Sequence, residues 1–133
     1  MKLIFADTGA FYALADRRDP AHSRAARFLK DCAAALLTTD FIFAETMSLL
    51  TKRLGKDVAV TFGHGLRTIP SIRIEEASPA MREEAWKLFS RQHDKDYDLI
   101  DCLSFAMMQS FRIREAFGFD RHFVQYGFRL FPE

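Results

Sequence analysis

The stretch LIFADTG, Leu3 to Gly9, decides how the rest of the chain is read. Leu3 to Ala6 is a continuous apolar run with no polar alternation, which describes a strand buried on both faces, and such strands belong to parallel sheets covered by helices. The run stops at Asp7-Thr8-Gly9. Further apolar runs lie at Ala35 to Thr38, Ser71 to Ile74, Ala116 to Phe119 and Phe128 to Phe131. Between them are stretches of helical character: Ala10 to Asp16, Ala21 to Lys30, Phe41 to Leu54 capped by Asp40 and ended by Gly55, and Lys56 to Thr68 interrupted by Gly63 and Gly65. Ser78-Pro79 opens another helix, and the segment from Asp98 to about Phe111 a last one. Strands separated by helices predict an α/β protein with a parallel sheet and helices on both faces.

At 133 residues and 49% hydrophobic, the chain reads as one domain, 1–133, with enough apolar material for a core, into which most of its 14 phenylalanines should pack. A net charge of +1 gives no overall basic field, so any polyanion must be held by local charge. Cys32 and Cys102 form no C-x-x-C pair and read as reduced thiols of a cytoplasmic protein. Leu3 to Ala6 is too short for a signal-peptide core, and no apolar run approaches a membrane span.

Open parallel sheets bind ligands outside the carboxyl ends of their strands. Asp7 follows the first strand and Asp120 follows the run ending at Phe119, so both belong at that edge. Two further acids sit on faces that should pack inward. Glu45 has Phe41, Ile42, Ser48 and Leu49 as helical neighbours; Asp101 has Ser104, Phe105 and Met108. Asp98, by contrast, reads as a helix N-cap. Two like charges about 4 Å apart cost roughly 4 kcal/mol at an effective dielectric of about 20, so Asp7, Glu45, Asp101 and Asp120 can share a pocket only by protonating or binding cations. All-oxygen ligation suits Mg²⁺ or Mn²⁺. The alternative for each acid taken singly is an ordinary cap, turn residue or ion pair.

The order of Leu3-Ile4-Phe5-Ala6-Asp7-Thr8, helical Glu45, Asp98-Leu99-Ile100-Asp101-Cys102-Leu103-Ser104-Phe105 and Phe117-Gly118-Phe119-Asp120-Arg121-His122-Phe123 resembles the PIN-domain nucleases, in particular VapC-type toxins. The resemblance implies a three-layer α/β/α sandwich and a Mg²⁺-dependent endoribonuclease, with Asp7, Glu45, Asp101 and Asp120 as the acidic centre. Asp7 and Asp101 are the foremost metal ligands it implies. Thr8 would orient Asp7 or a water. Asp98 stands where similar proteins often carry Ser, which puts a direct role for it in doubt. It further implies a small cognate antitoxin as partner and a homodimer.

Arg17, Arg18, Lys52, Arg53, Arg112, Arg114 and Arg121 are candidate RNA contacts, with Arg121 favoured because it adjoins Asp120. Aromatics near Phe11, Tyr12, Phe41 and Phe43 are candidates for a partner groove. His122 is read as structural, because no nucleophile–histidine arrangement accompanies it. Two other readings stand beside the nuclease. A catalytically silent RNA-binding module predicts binding without turnover. An aspartyl-phosphate phosphatase using Asp7 lacks the second acid of its D-x-D motif, where Gly9 stands.

Overall fold

The structure, a computed structural model describing residues 2–133, is a three-layer α/β/α sandwich. Its strands are β1 (Leu3–Ala6), β2 (Ala35–Thr39), β3 (Ile72–Glu75), β4 (Glu115–Phe117) and β5 (Arg129–Phe131). They form one sheet of order β3-β2-β1-β4-β5 in which all neighbours are parallel. The unbroken apolar run thus occupies the middle of the sheet, where Phe5 and Ala6 are fully buried. Its register fixes the functional edge. Ala6 pairs with Phe117, so the next residues, Asp7 and Gly118, emerge side by side, and the Asp7 N–H donates to the Phe117 carbonyl at 3.0 Å.

The helices are α1 (Thr8–Ala15), α2 (His22–Asp31), α3 (Asp40–Leu54), α4 (Lys56–Thr68), α5 (Pro79–Arg91), α6 (Leu99–Ser110) and α7 (His122–Tyr126). Side-chain caps set three of the starts. Thr39 accepts the Ile42 N–H, Ser78 the Met81 N–H and Asp98 the Asp101 N–H, each satisfying a backbone donor that the helix itself cannot. Cys102, Phe105, Met107 and Met108 of α6 are fully buried. Burial of a large apolar side chain stabilises by about 1.5–3 kcal/mol, so these residues can offset the several kcal/mol that burying the Asp101 carboxylate costs.

Several expectations shift. α1 starts at Thr8, not Ala10, because Asp7 already occupies the N-cap position. The fourth strand ends at Phe117 and not Phe119, so Asp120 lies three residues beyond it; the side-chain-free Gly118 packs against Asp7 and the chain turns away. The third strand is one residue later than expected, α2 likewise, and the fifth strand begins at Arg129. Gly63 and Gly65 do not interrupt α4. A Cβ at Gly63 would lie 2.7 Å from the Met47 sulfur, so this glycine permits α3 and α4 to approach. Phe11 and Tyr12 are buried, Phe11 against Phe62 and Tyr12 beside Leu50 and Ala59, so neither lines an open groove. Among the described residues no helix is long and apolar enough to cross a membrane.

Candidate metal centre

Asp7 stands at the N-cap of α1, yet its side chain makes no capping hydrogen bond. Its carboxylate is therefore not consumed by the helix. It is only 8% exposed, and burial pushes its pKa up to about 7. The Thr8 backbone N–H opposes that rise, while the charges of Asp101, Asp120 and Glu45 add to it. An ordinary cap would have been stabilised in its charged form.

Asp101 enters from the first turn of α6. Asp98 and Asp101 form a reciprocal capping box: Asp98 accepts the Asp101 N–H at 2.8 Å and Asp101 Oδ2 accepts the Asp98 N–H at 3.2 Å. Asp98 is exposed and is occupied with this cap. Asp101 is 7% exposed, and burial followed by the neighbouring Asp98 charge lifts its pKa to about 6. The two residues of the same motif thus have different work, one starting a helix and the other facing the site.

Asp120 comes from the turn between β4 and α7, and His122 opens α7. Asp120 Oδ1 accepts the His122 backbone N–H at 2.9 Å, a short side-chain turn that swings the imidazole back toward the acids. His122 Nδ1 then lies 2.8 Å from Asp101 Oδ2 and 3.3 Å from Asp120 Oδ1. Burial lowers the His122 pKa, but the hydrogen bond to Asp101 and the charges of Asp120 and Asp101 outweigh it, and the net shift is upward. The Tyr97 ring packs edge-on against the imidazole at 5.4 Å.

Glu45 is half-buried on α3, and the Thr8 hydroxyl donates to its Oε1. The side chain of Thr8 therefore serves Glu45, while its backbone N–H acts on Asp7. Arg121 is exposed beside Asp120.

The structure thus brings Asp101, Asp120 and His122 into one group whose ligand atoms lie within 4.8 Å of one another. Asp7 lies close enough to Asp101, Asp120 and Glu45 to feel all three charges, though it is outside that tight group. His122 is the member that sequence reasoning did not place in the centre. Its signal was the Asp-x-His spacing of the side-chain turn. The carboxylate oxygens, two of them on nearly buried acids with raised pKa values, form a donor set that fits a hard divalent cation such as Mg²⁺ or Mn²⁺, while the His122 nitrogen is taken up by its hydrogen bond with Asp101.

A stability consequence follows without metal. Between the unfolded value of 3.8 and the folded values of about 6 and about 7, the folded protein binds more protons than the unfolded chain at Asp101 and Asp7. Stability of the metal-free protein should then fall as pH rises from about 4 to above 7. Urea denaturation in EDTA is expected to give a lower midpoint at pH 8 than at pH 5.5, and a midpoint that rises over that interval would contradict the site's electrostatics.

The fold and the site together define an α/β/α protein with a carboxylate-rich metal centre at the carboxyl ends of its middle strands. The PIN domain family model matches residues 4–129, and the chain belongs to that family. It is 31% identical over 126 residues, 95% of either chain, to the 23S rRNA-specific endonuclease VapC20 of Mycobacterium tuberculosis. The crystal structure of Mycobacterium tuberculosis VapC20, described as a sarcin-ricin loop cleaving toxin, superposes with a TM-score of 0.89 at 30% identity, covering 94% of this chain and 95% of that one. FitAcB from Neisseria gonorrhoeae shares the fold, with a TM-score of 0.71 at 14% identity over 96% of each chain.

Proposed function

We propose that this chain is a Mg²⁺-dependent endoribonuclease and the toxin of a toxin–antitoxin pair, its residues 1–133 forming one nuclease domain. The observation that carries the reading is the convergence with Asp120 of buried Asp7 and Asp101, two acids whose charged forms the metal-free fold disfavours. Likeness to an rRNA-specific endonuclease along 95% of the chain supports RNA as substrate.

Asp7 and Asp101 would hold the metal, with Asp120 and Glu45 completing its surroundings. Bound there, Mg²⁺ supplies positive charge that acidifies water and stabilises charge developing on a phosphodiester. The protein's own part is to fix the ligands. The Asp98 cap holds the first turn of α6 and with it Asp101, His122 spans Asp101 and Asp120, and Thr8 restrains Glu45. Closely spaced carboxylates left without a cation would repel a phosphate, so a silent RNA-binding module gains nothing from this arrangement.

A small cognate antitoxin, a homodimer and a cytoplasmic setting complete the reading. Support for the first comes from relatives solved as toxin–antitoxin complexes. Val58 on α4, exposed beside Thr61 and Phe62, offers an apolar contact suited to a dimer, and Cys32 and Cys102 are free thiols. Purified protein is expected to cut ribosomal RNA with Mg²⁺, to stop with EDTA, and to resume with excess Mg²⁺ or Mn²⁺. RNA binding with no metal-dependent cleavage would favour the silent module, and phosphate release from a small phosphoester the phosphatase.

A further inference from the structure

Beside the acid centre, between α7 and β5, lies an open groove of about 560 Å³ lined by Arg24, Arg121, Val124, Phe128, Arg129 and Leu130, with one acid, Glu133, also in its lining. We propose that this groove holds the sugar–phosphate backbone of the RNA strand on one side of the scissile bond, with Arg24 and Arg121 as its phosphate contacts. The proposal rests on the nuclease reading and assigns that site a substrate track.

Placement is the first argument. Arg121 directly follows Asp120, and the Arg24 guanidinium lies 5.3 Å from the centre of the Phe119 ring, the residue directly before Asp120. Two cations from distant parts of the chain thus flank one acid of the centre. Phe119 also lies against Gly9, close to the start of α1 and Asp7.

Charge is the second. Among the described residues neither Arg24 nor Arg121 has a carboxylate within 4.0 Å, a condition they share with most of the chain's cations, so both are open to a phosphate and their placement singles them out. Arg129 pairs with Glu133 at 2.8 Å, but both side chains are more than half exposed, and a pair so well solvated is weak enough for a phosphate to displace. With a net charge of only +1, the molecule offers no general field to hold a polyanion. Phosphates flanking the scissile one meet carboxylates unless cations stand at the margin. Arginine suits the task, since its planar fork binds phosphate oxygens in pairs. Val124, Phe128 and Leu130 supply an apolar floor against which sugar faces can rest.

The test measures binding of a fluorescein-labelled single-stranded RNA in EDTA, where no cleavage occurs, across a salt series. Arg24→Ala and Arg121→Ala are each expected to weaken binding and to reduce the slope of log Kd against log salt by about 0.7, with the double variant roughly tenfold weaker at moderate salt. Arg67→Ala, an exposed cation on α4 toward the opposite sheet edge, should leave affinity and slope unchanged. Mn²⁺ affinity should be unaltered in all of them. If the unaltered protein binds RNA and the double variant binds it equally well, or if Arg67→Ala weakens binding as much, the groove is overturned and the nuclease reading stands. Retained RNA affinity with lost affinity for polyglutamate would reassign the groove to an acidic protein partner. No RNA binding by the unaltered protein, either in EDTA or with Ca²⁺ in place of Mg²⁺, overturns both readings together.

Discussion

Asp101→Asn is expected to lower Mg²⁺-dependent RNA cleavage by at least about 100-fold while raising the melting temperature of the metal-free protein at pH 8 by a few degrees. The two effects have one cause. With a pKa of about 6, the carboxylate is ionised at pH 8 in a place that disfavours its charge, a penalty of order 3 kcal/mol relative to an unburied acid. A neutral amide escapes most of that penalty. It still accepts a hydrogen bond from Asp98, though it forfeits the ionic part of the contact with His122. On the proposed assignment the same neutralisation removes a charged ligand of the metal, and loss of a few kcal/mol of charge stabilisation in the transition state corresponds to two or more powers of ten in rate. Differential scanning fluorimetry in EDTA beside a cleavage assay reads both. Lower stability with activity intact would mean that Asp101 is a structural ion-pair partner.

Gly118→Val is expected to reduce cleavage by about 100-fold without touching any acid. A Cβ at Gly118 would lie 3.1 Å from the Asp7 Cβ and 3.7 Å from its Oδ2. One methyl forces a shift of a few tenths of an ångström; a branched side chain forces more, onto the carboxylate that faces the centre. Misplacement of a catalytic group by about 1 Å can cost about 100-fold in rate, and overpacking adds about 1–3 kcal/mol of instability. Gly118→Ala should fall between wild type and valine. Cleavage assays under conditions where circular dichroism shows all three folded separate loss of geometry from loss of fold. Equal activity in the valine variant would show that Asp7 need not stay where it is.

The fold was legible where a pattern was local. Leu3 to Ala6 carries no polar residue, and only the centre of a covered parallel sheet accepts such a run, which is where β1 lies. Asp98 announced a cap, and Asp101 announced itself by being an acid on an apolar stripe. Features that depend on distant partners were not legible. Gly63 looks like a helix breaker until Met47 of α3 is placed against it. Phe119 extends an apolar run, so the end of β4 at Phe117 was hidden, the deciding contact being between Gly118 and Asp7. α7 has five residues, too few for a periodicity. His122 joins the centre through Asp101, 21 residues earlier, and Thr8 reaches Glu45 across 37. The sequence named the acids; only the fold shows what holds each of them.

Mn²⁺ titration of the purified protein, followed by electron paramagnetic resonance of the free ion at pH 7.5, tests the central claim most directly. The wild-type chain should take up Mn²⁺, Mg²⁺ should compete for it, and Asp7→Asn and Asp101→Asn should each weaken uptake at least about tenfold. Uptake that is absent from the folded wild-type protein, or unchanged in both variants, would contradict a metal centre built on these acids.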